Sequence, residues 1–224
     1  MARIGVILSG CGVFDGAEIR EAVLTIHALS ELEQEIVFLA PSMEQLHVIN
    51  HQSGHVAEGA SRHVMEEAAR IARGPVLSLK GANPDDFDAI ILPGGFGAAK
   101  NLCTFALAGP EAKLQKDLRG FLLAIHSQKK PIGAMCIAPA ILGLLKKEGQ
   151  LQGNPRLTIG NDPSTAEALQ MLGCEHVSCE ADEICSDETF RFVTTPAYMY
   201  DEAPLHVISK GIHKLVRQVV GWVR

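Results

Sequence analysis

Ala89-Ile90-Ile91-Leu92 is an uninterrupted apolar run, and Pro93-Gly94-Gly95 stops it at once. A strand with one wet face shows a polar residue at every second position; a strand buried on both faces shows none. Ile4-Gly5-Val6-Ile7-Leu8 and Pro131-Ile132-Gly133-Ala134-Met135 read the same way. Runs of this kind belong inside a parallel sheet, and parallel strands need crossover segments long enough for a helix.

The intervening segments supply those helices. Within 17–32, Ile19, Val23, Ile26 and Leu29 fall at helical spacing, and 61–73 reads as a helix stopped by Gly74-Pro75. Leu114, Leu118, Phe121, Leu122 and Ile125 mark one apolar face, and 137–147 has the same period. Asp162-Pro163 offers a cap and a first-turn proline for a helix through Leu172. Ile208, Ile212, Leu215, Val216 and Val219 define a long final helix. Further strands are expected at 35–40, 46–49, 76–79 and 157–159, with strand-like pieces at 174–179, 183–186 and 190–194. The expected fold is α/β: a doubly wound, mostly parallel, flavodoxin-like sheet with helices on both faces, in one domain over 1–224.

Composition removes whole classes of function. The chain is 47% hydrophobic and 21% charged, which excludes a disordered or coiled-coil protein. Twenty basic residues against 26 acidic ones give −6, so the footprint of a nucleic-acid or anionic-membrane binder is missing. No stretch approaches the roughly 20 apolar residues of a membrane span. The first apolar run is too short for a signal-peptide core, so a cytoplasmic setting is expected. The six cysteines are then expected to be reduced thiols. No C-x-x-C occurs, and Cys174, Cys179 and Cys185 do not have zinc spacing. His47, His51 and His55 recur every four residues, but Val48-Ile49 and Gly54 argue against a helix, so they are expected in an exposed loop.

Ligands of open α/β sheets gather beyond the carboxyl ends of the strands. Three loops lie there: 9–16, 93–101 and 136–139. Ala134-Met135-Cys136-Ile137-Ala138 has small residues flanking a cysteine at a strand-to-helix junction, which is what a nucleophile elbow requires. The unpaired N–H groups of the next helix favour a thiolate. On pattern alone Cys136 is either a nucleophile or a packed core thiol. Gly94-Gly95-Phe96-Gly97 leaves backbone N–H groups free to meet an oxyanion, yet Lys100 lacks the spacing of a phosphate loop. The spacing of Gly10, Gly12 and Gly16 is one residue too long for a dinucleotide turn, and the second strand ends in Ala40-Pro41 with no acidic residue for a ribose. Glu21, early in the following helix, is placed to share a proton with a thiol. Cys11 lies in a loop at the same sheet edge.

Together these residues resemble a family. Leu92-Pro93-Gly94-Gly95 and the strand–Cys136–helix junction resemble the ThiJ/PfpI superfamily, with its class I glutamine-amidotransferase-like fold. Ser9 to Gly16, Pro93 to Leu102, Met135 to Pro139 and Val193 to Met199 look like signatures of its ElbB subgroup, the enhancing lycopene biosynthesis and bacterial glyoxalase proteins. The likeness runs essentially end to end. It implies Cys136 as the elbow cysteine, Glu21 as its carboxylate partner, and the backbone of Gly95 and Ile137 as oxyanion donors. Gly94, Cys11 and Asn101 are expected around the substrate. Many relatives carry a histidine after the strand that follows the elbow helix; here that turn is Gly160-Asn161-Asp162, so a full Cys-His-acid triad is not expected.

The implied activity is a glyoxalase-type lyase turning glyoxal or methylglyoxal into glycolate or lactate, with no metal, glutathione or nicotinamide. The alternatives are a thiol sensor of redox state or carbonyls, and an amidotransferase-like accessory protein in isoprenoid metabolism. The resemblance also implies a homodimer, with a small aldehyde or dicarbonyl as the ligand. Animal members of the subgroup are mitochondrial, so the expectation is a bacterial cytosolic protein or a eukaryotic mature chain.

Overall fold

The computed structural model describes residues 1–223. Its strands are β1 (Arg3–Ile7), β2 (Glu35–Ala40), β3 (Ile49–Asn50), β4 (His55–Val56), β5 (Leu77–Ser78) and β6 (Ala89–Leu92). They continue with β7 (Ile132–Met135), β8 (Arg156–Leu157), β9 (Glu175–His176), β10 (Cys185–Asp187) and β11 (Phe192–Thr195). The helices are α1 (Ile19–Glu31), α2 (Val64–Ala72), α3 (Phe96–Lys100), α4 (Phe105–Ala108), α5 (Lys116–Ser127), α6 (Pro139–Gly149), α7 (Pro163–Met171) and α8 (Leu205–Val223).

The main sheet has seven strands in the order β10-β11-β7-β6-β1-β2-β5, parallel throughout except where β10 runs against β11. The continuous apolar runs are its centre. Every residue of β6 and β7 is buried, as is β1 after Arg3. Two apolar layers produce that burial. Leu118, Leu122 and Ile125 of α5 join Leu142 and Leu145 of α6 over one face. Ala22 and Leu29 of α1 join Ile212, Leu215 and Val219 of α8 over the other.

Some expected elements formed differently, each for a local reason. The 46–49 strand shrinks to Ile49–Asn50, paired with His55–Val56, because side chains take its backbone donors: Leu46 N–H bonds Asn101 Oδ1 and Ile49 N–H bonds Asp15 Oδ2. The first helix begins at Ile19, not Ala17, because Glu18 is its cap and accepts the Glu21 N–H at 2.7 Å. The 157–159 strand stays out of the main sheet. β8 pairs with β9 in a separate parallel ladder, fastened to β11 by Thr158 N–H donating to Thr194 Oγ1 at 2.9 Å.

At the carboxyl edge two loops touch backbone to backbone. Gly97 N–H donates to Gly16 O, and a Cβ on Gly97 would lie 2.5 Å from the Gly16 backbone. Only glycine lets the 9–16 and 94–97 loops approach this closely. Asn101 ties in a third segment: its Nδ2 donates to Ser9 O and Asp15 O, and its Oδ1 accepts from Leu46.

Candidate active site

Cys136 follows β7 without an intervening residue and has φ +58°, the left-handed region that costs a Cβ-bearing residue about 1–2 kcal/mol. The surroundings hold it there. Its N–H donates to Thr195 O at 3.1 Å, Ala138 N–H closes the turn on Met135 O, and Pro139 opens α6. Clearance above the thiol comes from Gly94, where a Cβ would stand 2.5 Å from Cys136 Cβ and 2.8 Å from Glu21 Oε2. This is the strained turn of a nucleophile elbow, which presents one side chain at the strand end.

Glu21 faces the thiol within hydrogen-bond reach and has no solvent exposure. Its Oε2 accepts the Gly94 N–H at 2.8 Å, and its Oε1 accepts the Tyr198 N–H at 3.2 Å. Burial, reinforced by the Glu18 carboxylate, pushes Glu21 up to about 8, against the pull of the two N–H donors. Cys136 is also raised, by burial first and by Glu21 second, while the N–H groups of Gly95 and Ile137 that point at its sulfur oppose the rise. The helix N-terminus therefore does not yield a standing thiolate, contrary to the sequence expectation, because burial outweighs it.

Cys136 lines a cavity of about 590 Å³, and Glu21 lies behind it, outside the lining. Phe96 and Met199 give the cavity apolar wall, and the start of α7 contributes Asp162. Asp162 accepts the Thr165 N–H at 2.8 Å, and its bonds with Thr165 and Ser164 hold it below the usual carboxylate range. Its Oδ1 is thereby committed to capping α7. At the mouth, Arg20 lies over the Tyr198 ring at 5.7 Å and donates to the Tyr198 hydroxyl at 3.1 Å.

The structure sorts the sequence candidates. Cys136, Glu21, Gly94, Gly95 and Ile137 converge, although the Gly94 N–H is committed to Glu21 and is not an oxyanion donor. Asn101 is 2% exposed with its amide engaged by three backbone groups, so it clamps loops and does not meet substrate. Cys11 does not line the cavity; its charged neighbours are Glu67 and Arg70 of α2, with Asp15 and Arg62. His51 sits in a loop but is not idle, since its Nε2 accepts the Phe14 N–H at 3.2 Å. Glu18, Arg20, Asp162 and Tyr198 were not anticipated. Tyr198 lies inside the Val193 to Met199 motif and Glu18 inside Gly16-Ala17-Glu18, so both had a signal; Asp162 signalled only a helix cap.

An amidotransferase-like α/β sheet with a cysteine elbow set against a buried glutamate defines the class. Comparison with known proteins then gives the family. The chain is 43% identical over 222 residues to the human "glutamine amidotransferase-like class 1 domain-containing protein 3, mitochondrial", covering 98% of this chain and 82% of that one. It is 31% identical, with a TM-score of 0.91 and full coverage of both chains, to an isoprenoid biosynthesis protein with amidotransferase-like domain from Ehrlichia chaffeensis, known from its crystal structure. Drosophila melanogaster DJ-1beta shares the fold at 18% identity and a TM-score of 0.60, covering 98% of this chain and 91% of that one. No protein-family model matches. The chain belongs to the glutamine amidotransferase-like class 1 domain proteins. No helix among the described residues is long and apolar enough to cross a membrane.

Proposed function

We propose that the chain is a cofactor-independent glyoxalase acting on glyoxal or methylglyoxal. The carrying observation is the arrangement around one sulfur: a strained Cys136, a buried Glu21 beside it, and the Gly95 and Ile137 N–H groups aimed at the same point. In the first step Glu21 takes the thiol proton as sulfur bonds to the aldehyde carbon. The carbonyl oxygen becomes an oxyanion that accepts hydrogen bonds from Gly95 and Ile137. Glu21 returns the thiol proton to that oxygen, then moves a proton from the former aldehyde carbon to its neighbour, while the hydroxyl proton of the first carbon passes to the second carbonyl oxygen. The first carbon is oxidised to a thioester while the second is reduced to an alcohol, so no external oxidant is needed. Water then releases the hydroxy acid and restores the thiol.

Among the described residues no second cysteine lines the cavity to resolve an oxidised Cys136, which speaks against a disulfide-forming redox sensor. The Ehrlichia protein's description favours a second reading, an accessory role in isoprenoid biosynthesis. One assay separates them. Purified protein is mixed with methylglyoxal and a chelator, without glutathione, and lactate is measured against dicarbonyl consumed. Many turnovers, abolished in Cys136→Ala and in Glu21→Gln, are expected. One adduct per chain with no acid product refutes the enzyme and leaves the accessory role. The proposed homodimer is checked on the same sample by light scattering.

A further inference from the structure

α1 and α8 pack side by side over one face of the sheet, and metal-ligating side chains meet on their outer surface. His27 and Glu31 are one turn apart on α1, hence on the same side of it. His213 reaches them from α8. Glu31 Oε2 lies 3.3 Å from His213 Nδ1 and 3.9 Å from His27 Nδ1, and ligand atoms of all three fall within 4.8 Å of one another. The imidazole rings are 5.5 Å apart and tilted by 39°, so they are not stacked flat against each other. A tetrahedral zinc ion holds nitrogen and oxygen ligands at about 2.0–2.1 Å, which sets ligand atoms about 3.3 Å apart. The His213–Glu31 edge already has that length. The His27 side chain, 61% exposed, is free to turn and shorten its 3.9 Å edge to Glu31.

We propose that His27, Glu31 and His213 form a site for one late first-row divalent cation, zinc above all, with its remaining coordination open to water. Two imidazoles and a carboxylate are the ligand chemistry such ions prefer. Arg217 repels a cation here, and Glu31 offsets it. A bound ion would join α1 to α8 and so brace the helix whose first turn carries Glu21. His27 lies six residues beyond Glu21, roughly 9 Å along the axis, so the site is separate from the thiol.

Chelator-treated, fully reduced protein is titrated with zinc chloride by calorimetry, and thermal unfolding is followed in parallel. One ion per chain is expected, with Tm raised by about 5 °C or more at a hundredfold excess over Kd. His27→Ala and His213→Ala each weaken binding by about tenfold or more, as loss of one ligand should. The exposure of His27 makes its variant a fair test, confirmed by an unchanged metal-free Tm. Cobalt(II) absorption identifies the ligands, since nitrogen and oxygen ligation lacks the sulfur-to-cobalt charge-transfer band. Equal zinc binding by wild type and His27→Ala, a thiolate band as the sole cobalt signal, or no saturable binding overturns the proposal.

Discussion

Glu21→Gln replaces a buried acid by a neutral group of the same size, and its effect on stability has a distinctive dependence on pH. Glu21 titrates near 8 in the folded protein against an ordinary 4.5. Between those values the folded chain keeps a proton that the unfolded chain has released, so stability falls as pH rises, by about 1.4 kcal/mol per pH unit. The contribution is fully present below pH 4.5, is down by about 3 kcal/mol at pH 7, and is exhausted above about 8. Glutamine does not titrate. Its single oxygen satisfies only one of the Gly94 and Tyr198 N–H groups, which costs about 1–2 kcal/mol at every pH. The variant is therefore slightly less stable than wild type at pH 5 and more stable at pH 8, with a relative swing of about 4 kcal/mol. Urea unfolding under reducing conditions, at pH 5, 6, 7 and 8, reads this directly. With m of about 2–3 kcal/mol/M, the midpoint difference between the proteins moves by about 1.5 M across the series. Staying at or below pH 8 keeps the raised Cys136 thiol out of the measurement. A midpoint difference that stays constant with pH, or moves the other way, refutes the placement of a protonated acid beside Cys136.

The same titration predicts that the rate of dicarbonyl turnover rises with pH through about 8 as Glu21 becomes an available base, checked by a kcat/KM profile from pH 6 to 9. Gly94→Ala forces a methyl group against Cys136 Cβ and Glu21 Oε2; urea unfolding should show a loss of about 2 kcal/mol or more, and turnover should disappear. Asn101→Ala strands the Leu46 N–H and the carbonyls of Ser9 and Asp15, a loss of about 2–4 kcal/mol by the same method, while KM in the folded fraction stays unchanged.

Much of the layout was legible because it is written locally. Burial of β6 and β7 on both faces forbids polar residues there, and the elbow demands small neighbours at 134 and 138, so both leave marks within a few residues. What sequence could not supply was the partner of each polar group. The Tyr198 N–H meets Glu21 across 177 positions, and nothing near either residue announces it. Asn101 shows the same limit in reverse: an amide in a glycine-rich motif reads alike as a ligand contact and as a loop clamp, and only its three backbone partners decide. For Cys136 the sequence revealed the helix N-terminus but not the depth of burial that overrules it.

The two margins of the main sheet bear on how copies of this chain can meet. At one side β5 is two residues long; at the other β10 has three, and its Asp187 carboxylate accepts the N–H groups of Arg156 and Phe190. Neither end offers a ladder of spare backbone donors long enough to recruit a foreign strand. Growth of the sheet from one molecule into the next is thereby closed off. Any self-association would then use side-chain surfaces, which can be tuned one at a time, and not the edges of this sheet.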